Sequence, residues 1–284
     1  MTLAESYSYC VALTKRTARN FHYAFSVLPP ERYRGICALY AFARISDDIS
    51  DEEADRQKAL AATQAWRSAF DRALAGDERP EPVWPALLDT LRRYQIPAEY
   101  LHELITGTEM DARQNRYEKW EDARLYCYRV ASVVGMMTVH VLGFTDKKII
   151  PLAEKLGLAF QLTNILRDLK EDAARNRIYL PLEDLRGQGV SEAEVLAARP
   201  TPALLRLVKF EAARARAFYE EGQQVVPLIE PESRNALRCL VAIYSRLLGK
   251  IELNNDVWSR RAGLSAAEKT WLALGFAFRR FLRM

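Results

Sequence analysis

Apolar residues recur three and four positions apart along most of the chain, the spacing of one face of an α-helix, and stretches that alternate with the period of a strand are few. Glycine and proline fall between these periodic segments and divide them. The pattern predicts a first helix over about 4–18. A second runs from Glu31, after Pro29-Pro30, to about Asp51, and a third reaches Ala75 and stops at Gly76. Further helices are expected near 84–95, 98–113, 121–142 and 147–173. Ser191-Glu-Ala-Glu194 reads as a capping box that opens a short helix. Long helices follow at about 202–228 and 232–260, and a last one at 265–282. The segment 132–144 is rich in β-branched residues, but its apolar run is long and Gly135 interrupts any period of two.

Two stretches, Gly35–Ile45 and Leu156–Leu166, are apolar on more than one face, which places them in the middle of a large bundle. No repeat of 20–50 residues is visible, and Arg79 to Pro85 is too short to separate two domains. The expectation is an all-α fold with residues 1–284 in a single domain around an apolar centre.

Composition narrows the picture only slightly. Of 284 residues, 49% are hydrophobic, enough for a sizeable core, and the net charge of +4 names no polyanionic partner. The arginines are scattered and form no basic stripe, so nothing supports nucleic-acid binding. Cys10, Cys37, Cys127 and Cys239 form no CxxC pair and sit among apolar neighbours, as buried thiols do. Met1–Cys10 has no signal-like apolar segment, and no uninterrupted apolar stretch of about 20 residues is evident. A cytoplasmic protein with no membrane-spanning helix is therefore expected. The last helix, from Trp271, is apolar with late arginines, a pattern that suits packing on the bundle or peripheral contact with the inner membrane face.

The acidic residues are more informative. One apolar helix runs into Asp47-Asp48-Ile-Ser-Asp51 and another into Asp168-Leu-Lys-Glu-Asp172. Asp47/Asp51 and Asp168/Asp172 are spaced i, i+4, which puts both carboxylates of a pair on one face, about 40° apart around the axis. Like charges at that spacing repel, and aspartate is a poorer helix former than glutamate. The pattern occurs twice, continues an apolar helix each time, and calls for a compensating cation. Magnesium suits it, being held by one or two carboxylates together with phosphate oxygens. Asn164 precedes Asp168 by one turn on the same face, as a neutral third ligand or as a helix-to-helix hydrogen bond. Arg44, Arg167, Arg175 and Arg177 flank the clusters, as salt-bridge partners or as forks for phosphate oxygens. Tyr40, Tyr126, Tyr179 and Tyr244 recur nearby, as packed residues or as aromatic faces for a cation.

The wording of these segments resembles the squalene/phytoene synthase family. The resemblance runs from Asn20-Phe-His-Tyr-Ala-Phe through Tyr244 and rests on three segments. These are Ala38-Leu-Tyr-Ala-Phe-Ala-Arg-Ile-Ser-Asp-Asp-Ile-Ser-Asp51, Tyr126-Cys-Tyr-Arg-Val-Ala-Ser-Val-Val-Gly135, and the long segment from Gln161 to Pro181. It implies a helical isoprenoid-synthase fold that joins two prenyl diphosphates head to head. It implies that Asp47, Asp51, Asp168 and Asp172 bind Mg²⁺ (or Mn²⁺) on the diphosphates, with Asp48 supporting and Asn164 touching the metal. Arg44, Arg167 and Arg177 match diphosphate-holding positions, and Tyr244 one close by. Tyr40, Tyr126 and Tyr179 match tyrosines assigned to diphosphate departure and cation control. One departure stands at Ala18-Arg-Asn20, where many members carry serines, with Arg19 in place of a lysine that meets diphosphate. The implied substrates are farnesyl diphosphates, coupled through presqualene diphosphate, with two geranylgeranyl diphosphates and phytoene as the alternative. Hydride from NADPH would end the reaction at squalene, water at hydroxysqualene, and proton loss at dehydrosqualene or phytoene. A non-catalytic helical assembly factor on the same fold is a further reading, which the presence of every matched aspartate disfavours.

Overall fold

Thr2 opens the first helix. Its hydroxyl accepts from the Glu5 amide and the Glu5 carboxylate accepts from the Thr2 amide, so two donors that the helix leaves over are satisfied. The computed structural model describes residues 1–51, 55–77, 81–253 and 261–281, with the side chains at 19–21, 51, 273 and 277–281 outside the description. Arg19 and Asp51, an expected diphosphate contact and an expected metal ligand, have side chains that fall outside it.

The helices are α1 (Leu3–Thr17), α2 (Arg19–Phe25), α3 (Pro30–Asp51), α4 (Arg56–Leu74), α5 (Trp84–Arg93), α6 (Glu99–Arg113) and α7 (Trp120–Cys127). After them come α8 (Val133–Leu142), α9 (Ile149–Ala174), α10 (Leu182–Gly187), α11 (Glu192–Leu196), α12 (Pro202–Gly222), α13 (Pro231–Leu253) and α14 (Ala266–Phe281). The fold is all-α, and the described residues hold no strand beyond one isolated bridge between Phe144 and Ile229.

Most predicted helices are present within a few residues. The Ser191/Glu194 capping box forms as the spacing requires. Two short helices, α2 and α10, have no counterpart in the prediction, being too brief for a periodic signal. The helix expected over 202–228 becomes 3₁₀ from Gln223, ahead of Pro227, which lacks the amide an α-helix needs there. The helix expected over 121–142 is interrupted by one π-helical stretch, Tyr128–Ser132. A π-turn is wider than an α-turn and leaves room beside it. The membrane expectation also changes. Trp120–Leu142 and Ile149–Ala174 are each long and apolar enough to cross a membrane by length and composition, yet both are core elements with over half of the apolar window buried.

Helix α9 is the axis. It packs on α12, on α8 and on the π-helical turn, while α3 packs on α1, α4, α5, α6 and α8. Buried side chains join in one continuous cluster that includes all four free cysteines. An aromatic stack fixes the far side of α3. Trp66 and Trp84 rings lie 4.5 Å apart, Phe42 packs against both, and the Trp66 indole donates to Ser46 Oγ over 2.9 Å. Each such aromatic pair adds about 0.5–1.5 kcal/mol beyond its buried area, so the turn of α3 that leads into Asp47 is held firmly.

Close approach of α9 to the π-turn depends on Gly157. A Cβ there would stand 2.4 Å from Ser132 Cα and 2.9 Å from the Ala131 carbonyl oxygen. Backbone cannot yield as a side-chain tip can. Gly157→Ala is therefore expected to destabilise the protein by about 1–3 kcal/mol or more, read as a lower urea midpoint at unchanged slope.

Candidate active site

Between α1, α3, the π-turn, α8, α9 and α13 lies a cavity of about 720 Å³. Val134, Leu156, Phe160, Leu237, Leu240 and Ile243 supply apolar wall. Polar residues also line it: Arg16, Tyr40, Arg44 and Asp47 on one side, Gln161, Asn164 and Arg167 on the other. Arg261 and Lys269, from the chain leading into and along α14, join them. An anionic head with a long apolar tail fits such a division.

Among the described side chains of the two acidic clusters, Asp47 alone is a lining residue of this cavity, and the second cluster is represented there by its neighbours Asn164 and Arg167. Asp47 lines it directly, whereas Asp48 turns to Arg44, whose Nε donates to Asp48 Oδ2 over 3.0 Å while Nη2 pairs with Oδ1. On α9, Asp168 accepts from Arg167 Nε and from Arg261 Nε, each over 2.7 Å. Both guanidinium groups belong to residues that line the cavity. Arg261 carries no motif signal in the sequence. It reaches Asp168 only because the chain folds back to the end of α9.

Electrostatics divides the Asp168/Asp172 pair. Burial pushes the Asp168 carboxyl up, but hydrogen bonds from Arg167 and Arg261 outweigh it and hold the group below its ordinary value. Asp172 is pushed up to about 7, first by burial and then by the neighbouring Asp168 charge, with Arg177 offsetting only part. A cation at this spot would relieve both penalties.

The residues fit a magnesium ion in a further respect. Asn164 Oδ1 is buried with no hydrogen-bond partner, one turn before Asp168, while its amide nitrogen donates to Gln161 Oε1 over 3.3 Å. A buried carbonyl oxygen left over in this way is costly unless a ligand takes it. Among the described residues no three acidic, histidine or cysteine side chains form a ready cage.

The tyrosines divide between two places. Tyr40 lines the cavity and donates to Thr17 Oγ1 over 3.1 Å; Tyr244 also lines it and packs on Phe160, ring centroids 4.6 Å apart. Tyr126 and Tyr179 stack on each other 4.9 Å apart, and both hydroxyls donate to one carboxylate, Asp111, over 3.1 and 2.8 Å. Burial first, then the Asp111 charge, raises both phenols well above their ordinary value, so they keep their protons. Asp111 escapes notice in the sequence, since it sits singly in the last turn of α6 beside other acids. Its position beneath two tyrosines from distant segments is a tertiary fact.

A comparison with known proteins accords with this geometry. Residues 14–268 match the family model for squalene/phytoene synthase. A phytoene synthase of Arthrospira platensis is 34% identical over 275 residues, covering 92% of this chain and 89% of its own. The 15-cis-phytoene synthase of Synechococcus elongatus is likewise 34% identical over 92% of this chain. Among solved structures, a dehydrosqualene synthase in complex with ligand superposes with TM-score 0.86 at 29% identity, covering 99% of this chain and 98% of its own. The squalene synthase HpnC of Alicyclobacillus acidocaldarius does so at 0.81 and 29%, covering 89% of this chain and 95% of its own. The chain belongs to the squalene/phytoene synthase family. It is a prenyltransferase, and head-to-head condensation of prenyl diphosphates is the reaction that this membership supports.

Two outcomes follow from the site's electrostatics and hydrogen bonding. With Asp172 titrating near 7 instead of 3.8, the folded state holds a proton that the unfolded chain has lost, so without a cation stability falls as pH rises through that window. A dication favours the carboxylate. Binding of Mg²⁺ with pyrophosphate at pH 7 should therefore release more protons in the wild type than in Asp172→Asn, measured by titration calorimetry in buffers of different ionisation enthalpy. Asp111→Ala should leave the Tyr126 and Tyr179 hydroxyls without their acceptor at about 1–3 kcal/mol each. Thermal unfolding and turnover should both fall, and Asp111→Asn should recover part of each.

Proposed function

We propose that this chain condenses two farnesyl diphosphates to presqualene diphosphate and carries that intermediate on toward a squalene-type product. The observation that carries the reading is one cavity of mixed apolar and charged lining that is reached by Asp47 from one cluster and by Asn164 and Arg167, next to the other. Likeness to the dehydrosqualene synthase over 99% of the chain supports the fifteen-carbon substrate.

Asp47, Asp51, Asp168, Asp172 and Asn164 would hold Mg²⁺, which would supply neutralisation of the leaving diphosphate. The C1–O bond of one substrate breaks and inorganic diphosphate leaves. C1 then bonds to the C2–C3 double bond of the second substrate, and loss of a proton closes a cyclopropane that keeps the second diphosphate. A second ionisation and rearrangement makes the 1′–1 bond. Arg44, Arg167, Arg177 and Arg261 orient phosphate oxygens through their planar forks. Arg19 and Asp48 take the supporting roles that the family pattern implies. Tyr40, Tyr126, Tyr179 and Tyr244 offer aromatic faces or protonated hydroxyls to the cation and the departing diphosphate. The apolar walls keep water from quenching the cation, so the protein's part is orientation and electrostatics.

A second reading, two geranylgeranyl diphosphates to phytoene, is favoured by the names of the sequence relatives. Incubation with each substrate in Mg²⁺, with and without NADPH, and identification of the extracted lipids separates the two. Presqualene diphosphate or a C30 hydrocarbon from farnesyl diphosphate is expected, and a C40 product alone would overturn the first reading. Asp47→Asn and Asp168→Asn should each cost about 10²-fold or more in turnover at saturating Mg²⁺; undiminished rates would remove the clusters from the mechanism.

A further inference from the structure

Helix α9 ends two residues after Asp172, and the manner of its ending involves Asp172 itself. The Asp172 carbonyl accepts from the Arg175 amide over 3.0 Å and from the Arg177 amide over 2.8 Å, while the Asn176 amide donates to the Ala173 carbonyl over 3.0 Å. This is a Schellman closure, and it requires a left-handed residue, which here is Asn176 at φ +54°. Glycine would take that conformation at no steric cost; asparagine takes it less readily.

What holds Asn176 there comes from another part of the chain. Arg116 Nη1 donates to the Asn176 carbonyl over 2.7 Å and Nη2 to Asn176 Oδ1 over 2.9 Å. The guanidinium is itself anchored, with Nη1 shared with the Asn115 carbonyl at 2.8 Å and Nε donating to Glu192 over 2.6 Å. The Asn115 side chain donates to the same Asn176 carbonyl over 2.9 Å. Segment 115–118 then runs beside 176–183. The Ile178 amide donates to the Asn115 carbonyl, the Leu182 amide to that of Tyr117 and the Glu183 amide to that of Glu118. Tyr117 also stacks on Tyr179.

We propose that Arg116 is a positioning residue for diphosphate binding: by gripping Asn176 it fixes the left-handed turn that aims Asp172, Arg177 and Tyr179 toward the metal–diphosphate end of the site. This rests on the reading that the second cluster binds Mg²⁺–diphosphate. Lysine cannot replace it, because a single ammonium cannot span the carbonyl and Oδ1 of Asn176 and also reach Glu192 as the planar fork does.

The test compares wild type, Arg116→Ala, Arg116→Lys and the double variant Arg116→Ala/Asn176→Gly. The probe is Mg²⁺ with inorganic pyrophosphate, and the first readout is the rise in melting temperature on binding. Steady-state KM and kcat with the prenyl diphosphate form the second. Arg116→Ala is expected to weaken Mg²⁺–pyrophosphate binding by roughly 10- to 100-fold, as loss of an orienting partner does, with KM raised to match. Arg116→Lys should recover little of this. Asn176→Gly in the Arg116→Ala background should recover most of it, because glycine adopts the turn unaided. If Arg116→Ala lowers the melting temperature but leaves pyrophosphate binding and KM unchanged, the residue is structural only and the proposal fails. It also fails if the glycine restores nothing. Absence of any Mg²⁺-dependent pyrophosphate shift in the wild type would instead overturn the site reading itself, and this proposal with it.

Discussion

Negative charge at the ends of two apolar helices is the constraint that the rest of the molecule answers. A carboxylate pair one turn apart is unfavourable unless cations balance it, and the more so for Asp168 and Asp172, which are partly withdrawn from water. Arginine does so for two of the carboxylates: Arg44 pairs with Asp48, and Arg167 and Arg261 both pair with Asp168. Asp172 stays only partly compensated, and burial with the Asp168 charge moves it to about 7. Such an arrangement suits the proposed binding of a cation and an anion together. The metal would relieve the carboxylates, and diphosphate oxygens would take the guanidinium groups they release.

Everything around the clusters holds them in place while keeping the space between them open. The Phe42, Trp66 and Trp84 stack anchors α3 behind Asp47. Gly157 lets α9 lie against the π-turn, so that Val134, Leu156 and Phe160 face a common cavity. Dense packing outside the cavity makes such an opening possible, since a bundle that collapsed freely would fill it.

Sequence relatives and structural neighbours agree on the reaction class and differ on tail length. Phytoene synthases lead the first group, and a dehydrosqualene synthase and a squalene synthase stand in the second. Identity near 30% over almost the whole chain is enough to share a fold and a reaction class, whereas a few side chains in the wall of a cavity can change the length of the tail it admits.

The amino-acid sequence by itself determined the helical class, most helix positions, and the two Asp-x-x-x-Asp faces, because periodicity, capping and i, i+4 spacing are local properties. The same locality let Asn164 be recognised as a neighbour of Asp168, though not that its Oδ1 would be left unpaired. Tertiary structure alone decided the rest. Asp111 meets Tyr126 and Tyr179 only when α6, α7 and the segment between α9 and α10 converge, Arg261 reaches Asp168 across 93 residues, and Arg116 reaches Asn176 across 60. Asp48, adjacent to Asp47 in the chain, faces Arg44 instead of the cavity, since successive residues on a helix point about 100° apart. Such contacts join residues far apart in the chain or select among neighbours by direction, and neither leaves a periodic trace in a one-dimensional string.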